Sequence, residues 1–91
     1  PVDYVICNNR TYRILKLSMN TYQTQVRGQE APTSRYMGMD FPVPLNIAGI
    51  AEAIGVYGRK IENPAEIGPA MRHALELGKP SVLDISIDGT V

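Results

Sequence analysis

Two adjacent asparagines, Asn8 and Asn9, follow the apolar run Val2-Asp3-Tyr4-Val5-Ile6-Cys7. A carboxamide can serve such a place in two ways. It can close a turn by bonding nearby backbone groups, or it can lend a neutral carbonyl oxygen to a hard cation such as magnesium or calcium. Residue types alone leave both open. In the second case a nearby backbone carbonyl joins as another oxygen ligand, and Thr11 is spaced to offer one. Magnesium also takes phosphates and one or two carboxylates. Asp3 lies on the wrong side of the strand, so the acidic ligand is expected in sequence ahead of Pro1.

The other reactive side chains point to bland roles. His73 stands alone beside Arg72 on a helix, without the placed partners an acid–base residue needs, and is expected on the surface. Cys7 has no second cysteine and no adjacent histidine or lysine, so it reads as a small buried hydrophobe. No zinc spacing exists, and Gly55-Val56-Tyr57-Gly58 is not a dinucleotide fingerprint. Glu30, Glu52, Glu62, Glu66 and Glu76 fall in loop or helix-surface contexts as solvated charges. Tyr36-Met37-Gly38-Met39-Asp40-Phe41 suits either a substrate-facing lid or a loop packed on the domain.

These groups need elements to hold them. The first apolar run is of the kind a strand buried on both faces shows, which places the Asn pair at its carboxyl end. Tyr12, Leu15, Met19 and Tyr22 recur at helical spacing over 12–22, widened by Ile14 and Leu17, with Arg13, Lys16, Ser18 and Asn20 nearer the polar side. Residues 21–44 lose periodicity and form a long irregular loop, whose Met37, Met39, Phe41, Val43 and Pro44 are expected to pack. Asn46 caps a short helix with Ile47, Ile50, Ala51 and Ile54, stopped by Gly55. Residues 56–61 read as a brief strand. Asn63-Pro64-Ala65-Glu66 has the parts of a capped helix start, and Gly78 with Pro80 ends that helix. Residues 81–88 give a final strand. Strands alternating with helices predict a partial, doubly wound parallel sheet with helices on both faces, a three-layer α/β/α arrangement. In such sheets ligands lie beyond the carboxyl ends of the strands.

The chain has 91 residues and nine basic against nine acidic groups. That zero balance gives no bulk attraction for nucleic acid or an anionic membrane. No apolar run approaches the roughly 18 residues of a membrane span. With a single cysteine, an intracellular, cytoplasmic setting is expected. A chain that begins on a buried strand reads as a fragment, the C-terminal part of a larger domain whose upstream portion is missing.

PVDYVICNNRTYRILK resembles the segment of thiamine-diphosphate-dependent enzymes in which a buried strand ends in Asn-Asn and enters a helix. NIAGIAEAIGV is similar to the short helix after that family's substrate loop, and KPSVLDISI to its closing strand. The resemblance covers most of the chain, with residues 21–44 least matched. The tetrad Asn9-Arg10-Thr11-Tyr12 is most similar to the Asn-x-Thr-Tyr of benzoylformate decarboxylases, with acetohydroxyacid synthases next. The first half of the family signature, Gly-Asp-Gly, stands further upstream than the seven residues before Asn8 and is absent.

The resemblance implies that Asn9 gives its side-chain oxygen, and Thr11 its backbone carbonyl, to the Mg2+ that bridges the diphosphate. Asn8 would shape the turn. The Tyr12 N–H would meet a diphosphate oxygen and Leu15 would face the reacting carbons. Arg10 and Arg13 depart from the small residues often found there, and each is either solvated or in contact with phosphate. The cofactor-activating glutamate lies on a neighbouring subunit in the family, so no catalytic residue is expected here and the chain alone should be inert. The implied activity is decarboxylation of a 2-oxo acid in a homodimer or homotetramer, with the rest of the same polypeptide as partner. An acetolactate-synthase-like carboligase is the alternative within the family, and a noncatalytic α/β interaction module the alternative outside it.

Overall fold

Ser81–Ser86 (β3) is the strand around which the sheet is built. The computed structural model describes residues 1–29, 36–43 and 45–90. Among them, β3 pairs in parallel with Asp3–Asn8 (β1) on one side and with Tyr57–Ile61 (β2) on the other, giving the order β1-β3-β2. Two helices of the same unit, Ile47–Ala53 (α2) and Ile67–Leu77 (α3), complete it. This unit comprises Pro1–Asn8 and Asn46–Ile87.

Alternation along the strands assigns the faces. Ile61, Leu83 and Ile85 pack with Ala70 and Ala74 of α3, with Tyr57 and Ile67 against them. Burying Ile61 and Leu83, each 1% exposed, contributes about 1.5–3 kcal/mol apiece. The opposite face belongs to α2. There Gly58 of β2 lies against the Ala48 backbone, so closely that a Cβ would stand 3.0 Å from the Ala48 carbonyl carbon. Tyr4, Val82, Ile50, Ala51 and Ile54 line an apolar groove on this side. Helices therefore cover both faces, as the strand–helix alternation predicts.

The predicted caps form. Asn46 Oδ1 accepts from Gly49 N at 2.9 Å, and Asn63 Oδ1 accepts from Ala65 N at 3.0 Å. The Asn63 cap starts a 3-10 turn, Pro64–Glu66, that runs into α3. Gly78, in the left-handed region, ends α3. His73 is exposed, with its ring edge-on to Tyr57 at 5.4 Å. Glu62 and Glu66 form partly exposed ion pairs with Lys60 and Arg59, as solvated charges do.

Two expectations need correction. β1 is an edge strand rather than one buried on both faces: Tyr4 on one face is 56% and Val5 on the other 41% exposed, and β3 is the strand's sole partner among the described residues. Cys7 is likewise exposed rather than buried. A third feature lay beyond sequence reasoning. Asp84, on the α2 face between Ile6 and Lys60, is 1% exposed, and neither carboxyl oxygen has a hydrogen-bond partner among the described residues.

The second unit comprises Asn9–Leu45 and Asp88–Val91. Its helix Arg13–Thr21 (α1) passes into a π turn, Tyr22–Val26. The expected apolar stripe of α1 is not its buried face. Tyr12, Ile14, Leu15 and Tyr22 are exposed, while Lys16 is buried at 7% exposure, because its ammonium finds a carboxylate partner in the following loop. Within that loop Met39 and Phe41 are half-buried and Met37 and Val43 exposed, and Tyr36 donates its hydroxyl to Asn20 Oδ1. Glu30 and Pro44 lie outside the described residues. No described helix is long and apolar enough to cross a membrane.

Candidate functional site

Asn9 is the first residue after β1. Its Oδ1 accepts a hydrogen bond from Thr11 N at 3.3 Å, an Asx turn of the kind that tightens a chain leaving a strand. That bond is longer than the usual 2.9–3.0 Å and occupies one of two lone pairs, leaving the oxygen able to take another partner. Arg10, at the centre of the turn, sits at φ 56°, a region that non-glycine residues seldom enter.

A strap formed by Met39–Asp40–Phe41 crosses this turn. Thr11 and Asp40 form an isolated antiparallel bridge, made by Tyr12 N donating to Met39 O at 2.8 Å and Phe41 N donating to Arg10 O at 3.0 Å. These bonds use residues flanking the bridge pair, so the Thr11 carbonyl is not consumed by it. The buried Thr11 also donates its hydroxyl to Met39 O at 2.8 Å. The Tyr12 and Phe41 rings meet edge to face at 5.1 Å. Lys16, one turn into α1, holds Asp40 Oδ1 at 2.6 Å.

Residues 88–90 close the other side. Arg13 Nε donates to the Thr90 carbonyl at 3.0 Å. Gly89 presses on the Asn9 carbonyl, and a Cβ there would also stand 2.7 Å from Thr11 Cγ2. Asp88 accepts from the Thr90 hydroxyl and, at 2.9 Å, from the Thr90 amide. Those two bonds, the hydroxyl's first, hold the Asp88 carboxyl below its ordinary value; desolvation opposes them, and the Arg13 and Arg10 charges add lesser downward pulls.

The result is a cavity of about 340 Å³ lined by Asn9, Arg10, Thr11, Lys16, Asp40 and Asp88, among others. Asn9 and Thr11 are thus brought together. Tyr12 and Leu15 are not among the lining residues: the Tyr12 N–H already bonds Met39, and Leu15 is half exposed on α1. Asp40, Asp88 and the burial of Lys16 went unpredicted. Asp88-Gly89 carried a legible signal as a turn dipeptide, but nothing local marks a Lys–Asp pair 24 residues apart.

In donor chemistry the cavity wall suits a hard cation with phosphate. It offers a carboxamide oxygen and carboxylates beside basic side chains. Among the described residues no group of three or more His, Cys, Asp or Glu could hold a metal unaided, so oxygens from a ligand or from further sequence would complete the shell.

A parallel α/β sheet whose first strand runs directly into an oxygen-rich, cation-lined turn defines the class of α/β domains that bind phosphate-bearing cofactors. Within that class, the chain belongs to the family of thiamine pyrophosphate enzymes, C-terminal TPP binding domain, whose model matches residues 1–85. It is 31% identical over 87 residues to a Bacillus subtilis (strain 168) protein named as thiamine pyrophosphate-containing, YdaP; the match covers 96% of this chain and 13% of that protein. It is 28% identical over 88 residues to a Methanococcus aeolicus protein named as an acetolactate synthase large subunit, covering 97% of this chain and 13% of that protein. The chain thus spans about 13% of the length of both relatives. Neither name is that of a benzoylformate decarboxylase, so that finer resemblance gains no support. No solved structure matches the chain.

Proposed function

We propose that these residues form part of the cofactor site of a thiamine-diphosphate- and Mg2+-dependent enzyme acting on a 2-oxo acid. The observation that carries this reading is the meeting of Asn9 and Thr11 with Arg10 and Lys16 on one cavity wall. Asn9 Oδ1 and the Thr11 carbonyl would hold Mg2+, and the Arg10 side chain would offset part of the negative charge of the diphosphate, the Lys16 ammonium being engaged by Asp40. When bound, thiamine diphosphate supplies the electron sink that lets a 2-oxo acid lose carbon dioxide. The chain's own share is orientation. The strap keeps the turn in one conformation, and the 88–90 segment closes it from the other side.

Two outcomes follow decarboxylation: protonation, which makes the enzyme a lyase, or attack on a second carbonyl, which makes it a carboligase. The relative named as an acetolactate synthase favours the carboligase. Product analysis with pyruvate separates them, acetaldehyde marking the first and acetolactate the second. The reading carries with it a cytoplasmic homodimer or homotetramer, to be tested by sedimentation.

Calorimetry on the full-length protein tests the cofactor site. Thiamine diphosphate is expected to bind in the presence of Mg2+ and to lose that affinity on chelation. Asn9→Ala is expected to abolish this magnesium-supported binding while the protein stays folded. If Asn9→Ala alters stability and leaves cofactor binding intact, the amide serves only its Asx turn and the ligand role is wrong.

A further inference from the structure

We propose that Lys16 is a positioning residue: its ion pair with Asp40 locks the Met39–Phe41 strap across Arg10–Tyr12 and so fixes the direction of the Thr11 carbonyl. The Thr11 part of this proposal rests on the function proposed above.

Lys16 is an uneconomical choice if packing were its whole purpose. Ordering a lysine side chain costs up to about 2 kcal/mol of rotamer entropy, and an ion pair whose acidic partner is half exposed returns little of it. What a methionine or leucine cannot supply is a directional link. Lys16 Nζ lies 2.6 Å from Asp40 Oδ1, and Asp40 is the bridge partner of Thr11. The backbone N–H of the same lysine donates to the Tyr12 carbonyl at 3.1 Å. One residue is therefore tied to both sides of the bridge, to the turn through its main chain and to the strap through its ammonium. The turn needs such restraint because Arg10 is held at φ 56°, where local preference alone would not keep it. Lys16 also lines the cavity with Asn9 and Thr11, so a loosened strap would disturb the wall itself.

The test uses the full-length protein with Lys16→Met, Lys16→Arg, Asp40→Asn and the double variant Lys16→Met/Asp40→Asn. Hydrogen exchange without cofactor reads the strap directly, at the Tyr12 and Phe41 amides. Lys16→Met should speed both by about tenfold and raise the Mg2+ concentration that half-saturates thiamine diphosphate binding by about tenfold, the usual scale for residues supporting a metal ligand. Lys16→Arg should restore most of both effects, and the double variant should be no worse than either single one. If Lys16→Met does not fold, Asp40→Asn, at a half-exposed carboxylate, carries the same two readouts. Faster exchange with unchanged magnesium dependence would reduce Lys16 to a structural role, and unchanged exchange would remove the lock altogether. A wild-type protein without magnesium-dependent binding would instead sink the parent function and the Thr11 claim with it, whatever the exchange rates.

Discussion

Gly89 lies against the carbonyl oxygen of Asn9 with no room between them for a side chain. The chain can pass this point only because residue 89 has no Cβ. Gly89→Ala would push residues 88–90 off the turn and is expected to destabilise the protein by about 1–3 kcal/mol, as overpacking generally does. Chemical denaturation reads the stability. Calorimetry should show weaker magnesium-dependent binding of thiamine diphosphate, because the displaced atoms are those of the Asn9 turn.

Gly58 makes the corresponding approach between β2 and α2, where a Cβ would stand 3.1 Å from Ala48 Cα. Gly58→Ala should cost a similar amount, about 1–3 kcal/mol. It should leave the Mg2+ requirement unaltered. Denaturation midpoint and cofactor titration on one sample therefore separate its effect from that of Gly89→Ala.

Asp84 is buried on the central strand with both carboxyl oxygens unpartnered among the described residues. An unsatisfied polar group in an apolar setting costs about 1–3 kcal/mol. Asp84→Val, with a side chain of high strand propensity, should raise stability in the full-length protein by that order. A fall in its denaturation midpoint would mean that groups outside the described residues supply the missing donor.

The Asp88 carboxyl is held below its ordinary value, chiefly by the Thr90 hydroxyl and then by the Thr90 amide. A carboxylate depressed in the folded state contributes stability that is complete above its unfolded value, about pH 4. That contribution is lost as pH falls through the lower folded value. Thr90→Val removes the largest cause. A carboxyl-carbon NMR titration should find Asp88 shifted upward in that variant, and the stability curve below about pH 4 should flatten.

The local signals in the sequence were strong where the physics is local. The Asn46 and Asn63 caps and the strand around Leu83 follow from residue types a few positions apart, and all three form. The errors share a cause. The run from Val2 to Cys7 states what a strand is able to bury but not what lies beside it, and among the described residues β1 has a neighbour on one side only. Periodicity put Lys16 on the polar side of α1 because periodicity cannot see a carboxylate 24 residues away. At the candidate site, Asn9 and Thr11 were legible from the strand end and the family resemblance. The strap and the 88–90 segment were not, since their contacts close over long stretches of chain.

The one-sided pairing of β1 has a practical consequence. Among the described residues no strand pairs with its outer rim, where a row of amide and carbonyl groups stands beside Tyr4 and Val5, and an apolar rim of this kind is a template for any extended peptide. A preparation of these 91 residues by themselves should therefore self-associate as its concentration rises, and basic or proline substitutions along that rim are the means to keep it in solution.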